Sequence, residues 1–88
     1  MPDSRRNIRL ADGYRLQWEE TQQADVLLFP EGMVQLSGSA AAVLKQCGGK
    51  SAEEIVQALQ AEFPDADLRD DVLEFIDEAL TKGWIRGD

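Results

Sequence analysis

The spacing of hydrophobic residues changes once along the chain, close to residue 37. Residues 14–18 alternate between apolar and polar side chains, which is typical of a half-buried strand. The apolar run over 26–29 indicates a central strand covered on both faces, and the Pro-Glu-Gly turn at 30–32 predicts a hairpin onto 33–36. The first half of the chain is therefore predicted to form three strands.

After residue 37 the hydrophobic residues recur at helical spacing. The first predicted helix carries its apolar residues on one face, namely Ala40, Val43, Leu44 and Cys47. Ser51 and Glu54 match a capping box that starts a second helix, and Pro64 ends that helix. Asp67 is predicted to cap a third helix, which has Lys82 in its last turn. Three strands followed by three helices predict an α+β fold with a three-stranded antiparallel sheet.

The third predicted helix has a wider apolar face than packing against one core requires. Its apolar side chains fill an arc of roughly 160°, against the roughly 100° that is usual. In order around the helix they are Phe75, Leu68, Ala79, Val72, Ile76, Leu80 and Leu73. The extra width of the apolar arc lies next to Asp77, on the side formed by Leu73, Ile76 and Leu80. We name this side the Leu73 margin. Either a partner or the N-terminal strands of the same chain cover it, and the pattern alone does not separate these two interpretations.

The 88 residues are expected to form one domain over residues 10–88, preceded by a polar, Arg-rich and flexible tail over residues 1–9. No apolar run approaches the length of about 18 residues that a membrane-spanning helix needs. No apolar segment follows the arginines near the N-terminus, so we expect no secretory signal. Cys47 is the only cysteine, which excludes an internal disulfide and fits a reducing cytoplasm.

The negative charge is concentrated in the helical half of the chain. The net charge is −8, and residues 51–88 account for all of it with eleven acidic against three basic residues. A nucleic-acid-binding protein needs a basic surface that displaces counterions from phosphates, so this half is expected to repel DNA. An acidic surface favours a neutral or cationic partner instead.

The sequence lacks the residue types and spacings on which most catalytic and metal sites depend. It has no histidine, which is the commonest general base and metal ligand. Cys47 lies on the apolar face of its predicted helix, which favours a small buried side chain over a nucleophile. The Gly-Lys-Ser sequence at 49–51 fails the phosphate-loop pattern, since Leu44 stands where that pattern needs glycine. We therefore predict a binding module with no catalytic residues, metal ions or cofactors of its own.

A strand at the edge of the predicted sheet offers a binding site for an extended peptide. Three strands leave two open edges, and if the third predicted strand is one of them, a peptide can add beside it as a fourth strand. Each added hydrogen bond contributes only about 0.5–1.5 kcal/mol, so side chains of the third helix must contribute as well. The predicted peptide-binding residues are Met33, Val34, Gln35, Leu36, Leu73, Ile76, Asp77 and Leu80. Asp70 and Asp77 are predicted to favour a basic residue on the peptide.

Several short segments occur in an order that is specific, although no single segment is. They are 14–18, 28–33, 39–44, 54–55, 62–64, 70–72, 74–75 and 82–85. In this order they resemble the PqqD family of pyrroloquinoline quinone (PQQ) biosynthesis, over about residues 8–86. The resemblance implies a winged-helix-like arrangement of three strands and three helices.

The resemblance also implies a function. PqqD proteins bind the precursor peptide PqqA and present it to PqqE, a radical S-adenosylmethionine enzyme with iron–sulfur clusters that joins a Glu to a Tyr side chain of the peptide. In the family the peptide adds beside the third strand, in the cleft with the third helix, which the predicted peptide-binding residues would form in this chain. The implied function is that of a peptide chaperone. We expect a monomer, and the open strand edges leave a dimer as an alternative.

Two other functions fit a domain of this size. A winged-helix DNA-binding regulator is the main alternative, but it needs clustered basic residues on a recognition helix. The second predicted helix has none, and the third has only Arg69 and Lys82. An enzyme subunit with its own chemistry is disfavoured by the lack of histidine and of metal ligands.

Overall fold

The computed structural model describes residues 5–88. Along this part of the chain the elements are β1 (Ile8–Leu10), β2 (Arg15–Glu19), β3 (Ala24–Phe29), β4 (Gly32–Gln35), α1 (Gly38–Lys45), β5 (Gly48–Lys50), α2 (Ala52–Glu62), α3 (Arg69–Lys82) and β6 (Ile85–Arg86). Strands β2, β3 and β4 form one antiparallel sheet in that order, and β5, β1 and β6 form a second. The predicted α+β fold, with a three-stranded antiparallel sheet and three helices, is confirmed.

The sheet of β2, β3 and β4 corresponds to the three predicted strands. Strand β3 lies in the middle, and its Val26 and Leu27, which point to opposite faces, are both fully buried. On the inner face Leu27 pairs with Leu16 of β2 and Val34 of β4. These side chains pack against the core, which the three helices close from the other side. The predicted central strand is confirmed.

The second sheet ties the N-terminal segment to the domain. Strand β1 pairs with β5 on one side and β6 on the other, and its Ile8 is fully buried. The backbone N–H of Ala52 also donates to the Arg5 carbonyl at 2.7 Å. The expected tail over residues 1–9 is therefore too long: residues 1–4 lie outside the described residues, but residues 8 and 9 belong to a strand. A strand of three residues is too short to show a periodic pattern, and its partners are distant in the sequence.

Two predicted helix caps have different outcomes. The capping box of α2 is confirmed, because the Glu54 N–H donates to Ser51 Oγ at 3.1 Å and the Ser51 N–H donates to the Glu54 carboxylate at 2.9 Å. At α3 the N-cap residue is Leu68 and no side chain caps the helix, so the prediction of Asp67 is wrong. A cap depends on backbone geometry at one position, which sequence places only to within a residue or two.

The loop between α2 and α3 is held by a side chain of α2. Gln60 Nε2 donates to the Phe63 carbonyl at 3.0 Å and also to the Ala66 carbonyl. Its Oε1 accepts from the Leu68 N–H at 3.5 Å. These bonds fix the position of Phe63 relative to the start of α3.

The capping box predicts a pH-dependent contribution to stability. The pKa of Glu54 lies below its ordinary value of 4.5, first because the Ser51 backbone N–H donates to its carboxylate and then because of the Ser51 side chain. A lowered pKa in the folded state stabilises the fold above the ordinary pKa, and this contribution is lost as the pH falls through the folded value. We expect Glu54→Gln to be less stable than the parent at neutral pH, with a difference that shrinks below pH 4.5. Urea unfolding across pH checks this, and a pH-independent difference would contradict it.

Candidate functional site

The outer edge of β4 carries backbone groups that no other strand of residues 5–88 pairs with. Across the β3–β4 pair, the Leu36 N–H donates to the Asp25 carbonyl at 2.9 Å. Hydrogen-bonded pairs alternate along an antiparallel ladder, so Val34 also points its backbone groups towards β3. The N–H and C=O groups of Met33 and Gln35 therefore point outwards. The third predicted strand is an open edge, as expected.

The predicted site residues on and just after β4 have different surroundings. Met33 is 53% exposed and Gln35 is exposed, and both lie on the outer face of the sheet. Val34 is half-buried on the inner face. Leu36 is only 7% exposed and belongs to the core. The Leu36 side chain therefore stabilises the fold, while the outward backbone of Met33 and Gln35 is accessible.

The N-terminal segment of the same chain contacts α3 beside the Leu73 margin. Arg5 donates two hydrogen bonds to the Asp77 carboxylate, at 3.0 and 2.5 Å. Leu73 lines a small cleft between Arg5 and the first turn of α2. Ile76 is fully buried, and Leu80 is half-buried against the core. Contacts from the N-terminal segment on this side agree with the second interpretation of the wide apolar arc, while Leu73 and Leu80 stay partly exposed.

An apolar groove opens on the opposite margin of α3. Its volume is about 590 Å³, and we name it the α3 groove. Its sides are Ser37 with the first turns of α1, Phe63 with the loop after α2, and Leu68, Asp71 and Phe75 along α3. Leu68 and Phe75 are half-buried and Phe63 is 46% exposed, so apolar surface faces solvent. Because Ser37 follows β4 after a single residue, the groove begins where the open edge ends.

Sequence reasoning missed Phe63, Leu68 and Phe75 as site residues. Leu68 and Phe75 lie on the apolar arc of α3, but at the margin opposite to the Leu73 margin. The width of the arc indicates that a margin is uncovered, and the packing of the N-terminal segment determines which one. Phe63 is the C-cap residue of α2 and continues the spacing of Ile55, Val56 and Leu59, which predicts a buried residue and gives no signal for its exposure.

The position of Cys47 in the core agrees with the interpretation of this residue as a small buried side chain. Burial raises the pKa of the Cys47 thiol to about 11, and Lys50 offsets this only in part. The thiol is therefore protonated at neutral pH, and its Sγ donates to the Val43 carbonyl at 3.4 Å. Within residues 5–88, no three histidine, cysteine or acidic side chains are grouped as a metal site requires.

Both basic side chains of α3 are paired with carboxylates. Arg69 donates to the Glu53 carboxylate at 2.5 and 2.7 Å, and these bonds lower the pKa of Glu53. Lys82 Nζ lies 3.0 Å from Glu78 Oε1. Helix α3 therefore presents no unpaired cation to a phosphate, and no feature of this helix favours the DNA-binding alternative.

Comparison with known proteins identifies the family. Residues 26–85 match the family model of coenzyme PQQ synthesis protein D (PqqD). The chain is 45% identical to a PqqA binding protein of Acinetobacter baylyi over 94 aligned positions. This alignment covers 93% of this chain and 95% of that relative. The chain belongs to the PqqD family. Another relative, the PqqA binding protein of Azotobacter vinelandii, is 49% identical over 79 aligned positions. The alignment covers 88% of this chain and 86% of that relative.

A solved PqqD structure has the same fold. The solution NMR structure of the PqqD truncation of Methylobacterium extorquens PqqCD superposes with a TM-score of 0.71 and 33% identity, over 89% of this chain and 86% of that one. That protein is described as a functional, stand-alone recognition element for ribosomally synthesised and post-translationally modified peptides. The predicted resemblance to PqqD is thus confirmed. Among the helices of residues 5–88, none has the length and apolar character needed to cross a membrane.

Proposed function

We propose that this chain is a non-catalytic peptide chaperone of PQQ biosynthesis that binds the precursor peptide PqqA. Its relatives from Acinetobacter baylyi and Azotobacter vinelandii are PqqA binding proteins, and the Methylobacterium extorquens domain is a peptide recognition element. The observation that carries the proposal is the open edge of β4 next to the α3 groove. PqqA adds to β4 as an extended strand and places side chains in the groove.

Backbone pairing alone does not account for tight binding. Met33 and Gln35 each point one N–H and one C=O outwards, and hydrogen bonds to all of these groups contribute about 2–6 kcal/mol in total. Micromolar affinity requires about 8 kcal/mol, and ordering a flexible peptide opposes binding. Apolar side chains in the α3 groove provide the remainder, at about 1.5–3 kcal/mol for each one that is fully buried.

The helical side of the proposed site is formed by Leu68 and Phe75, which we name the Leu68 margin. This margin replaces the sequence-predicted set of Leu73, Ile76, Asp77 and Leu80. The Leu73 margin is the alternative side, where Arg5 already pairs with the Asp77 carboxylate. The β4 residues of the predicted set keep their place, because their outward backbone is the binding edge.

The chaperone presents bound PqqA to the radical S-adenosylmethionine enzyme PqqE, which joins a Glu to a Tyr side chain of the peptide. The chain contributes no catalytic residue, metal ion or cofactor to this reaction. It holds one segment of the peptide in a single register, so that the reacting side chains meet the active site at a high effective concentration. The cytoplasmic location and the monomeric state predicted from the sequence form part of this proposal.

Gln35→Pro is expected to weaken PqqA binding by roughly three- to tenfold. The substitution removes one outward N–H, and the lost hydrogen bond contributes about 0.5–1.5 kcal/mol. Gln35→Ala removes the side chain but keeps the N–H, and it is expected to bind as the parent does. Isothermal titration calorimetry with PqqA measures all three affinities, and circular dichroism verifies the fold. Equal affinities for the two variants would contradict strand addition at β4, and a parent chain that does not bind PqqA would contradict the function itself.

A further inference from the structure

One charged side chain is found among the residues that line the α3 groove. It is Asp71, which lies three residues after Leu68 and four residues before Phe75. Residues at these spacings are neighbours on a helix surface, so the three side chains form one row along α3. A carboxylate therefore borders the apolar Leu68 margin.

Asp71 is exposed and has no ion-pair or hydrogen-bond partner for its side chain among residues 5–88. On the two long helices Glu53, Asp77 and Glu78 are held by cations. Asp70 and Glu74 have no such partner among residues 5–88, but unlike Asp71 they do not line the groove. The groove thus contains a negative charge that the described chain does not neutralise. It lies in the half of the protein that carries the entire net charge of −8.

We propose that Asp71 selects a Lys or Arg side chain of the bound peptide, next to a large apolar side chain that enters the α3 groove. This inference rests on the proposed function and adds the kind of peptide segment that the site prefers. A cation beside Asp71 is attracted, and an acidic side chain at that position is repelled. The aliphatic stem of Lys or Arg packs along the apolar row while its charged end stays near water, so one residue satisfies both parts of the groove.

The first turn of α3 provides a matched control. Asp71 lies in this turn, where acidic residues stabilise a helix through its macrodipole, and Asp70 lies in the same turn. Asp70 does not line the groove, so Asp71 replaces Asp70 and Asp77 as the residue proposed to favour a basic side chain of the peptide. Replacing either residue with Asn changes the net charge and the helix terminus in the same way. A difference between the two variants therefore reports on the groove.

The test is the affinity for PqqA, measured by isothermal titration calorimetry at low and high salt. Asp71→Asn is expected to weaken binding about three- to fivefold at low salt, with a smaller effect at high salt. Asp70→Asn is expected to retain the affinity of the parent. Equal losses in the two variants would show long-range attraction only, and would overturn the inference.

Substitutions in the peptide identify the selected residue. With each Lys and Arg of PqqA replaced in turn by Gln, one replacement is expected to weaken binding to the parent but not to Asp71→Asn. If no replacement shows this coupling while the parent still binds PqqA, the inference fails and the proposed function stands. If the parent does not bind PqqA, both fail.

Discussion

Phe75→Asp is expected to lower the affinity for PqqA by about 10- to 100-fold. Phe75 is half-buried on the Leu68 margin and lines the α3 groove. A peptide side chain that buries apolar surface against it gains about 1.5–3 kcal/mol, and the substitution removes this gain. The new carboxylate must also lose water when the peptide enters, which adds to the cost of binding. Isothermal titration calorimetry with PqqA measures the effect.

Leu80→Asp is the matched control for this variant. Leu80 is also a half-buried apolar residue of α3 that packs against the core, but it lies on the Leu73 margin and does not line the groove. Both substitutions are expected to reduce thermal stability, whereas only Phe75→Asp is expected to weaken binding strongly. A larger loss of affinity in Leu80→Asp would show that the peptide uses the Leu73 margin and would contradict the α3 groove as the site.

Ile8→Ala is expected to lower the free energy of unfolding by about 2–5 kcal/mol, because it leaves a cavity at a fully buried position. A domain of 88 residues has a total stability of about 4–13 kcal/mol, so this loss is a large part of it. Chemical denaturation followed by circular dichroism measures the change. The effect is expected although Ile8 lies in the segment for which the sequence predicts a flexible tail.

Ile8→Val serves as the graded control, since it removes one methylene group and is expected to cost about 0.5–1.5 kcal/mol. A large loss of stability in Ile8→Ala and a smaller loss in Ile8→Val would show that Ile8 fills a packed site. A residue in a flexible tail would tolerate both changes within about 0.5 kcal/mol, and that result would contradict the pairing of β1 with β5 and β6.

The elements that the sequence predicted well are those whose signal is complete within a short segment. The alternation over 14–18 led to β2, and the apolar run over 26–29 led to the buried centre of the sheet. The Ser51 and Glu54 capping box was confirmed for the same reason, since all of its bonds join residues three positions apart. In each case neighbouring residues contain the whole pattern.

The elements that the sequence did not predict depend on distant partners. Strand β1 is three residues long and becomes a strand because β5 and β6 flank it. Strand β5 is a Gly-Gly-Lys segment with no apolar residue, so it has no hydrophobic pattern to detect. Pairing over such distances is set by the packing of the whole domain rather than by local preference.

The sequence by itself determined the order of β2, β3, β4 and the three helices, the scarcity of catalytic residue types, the acidic helical half and the wide apolar arc of α3. Each of these is a property of composition or of neighbouring residues. Only the tertiary structure decided which margin of that arc lines the apolar groove. Arg5 reaches Asp77 across 72 positions of the chain and helps to cover the Leu73 margin, while Leu68 and Phe75 line the groove. Which margin lines the groove depends on how the N-terminal segment packs. The packing of that segment follows from the free energy of the entire fold, which the local periodicity of α3 does not contain.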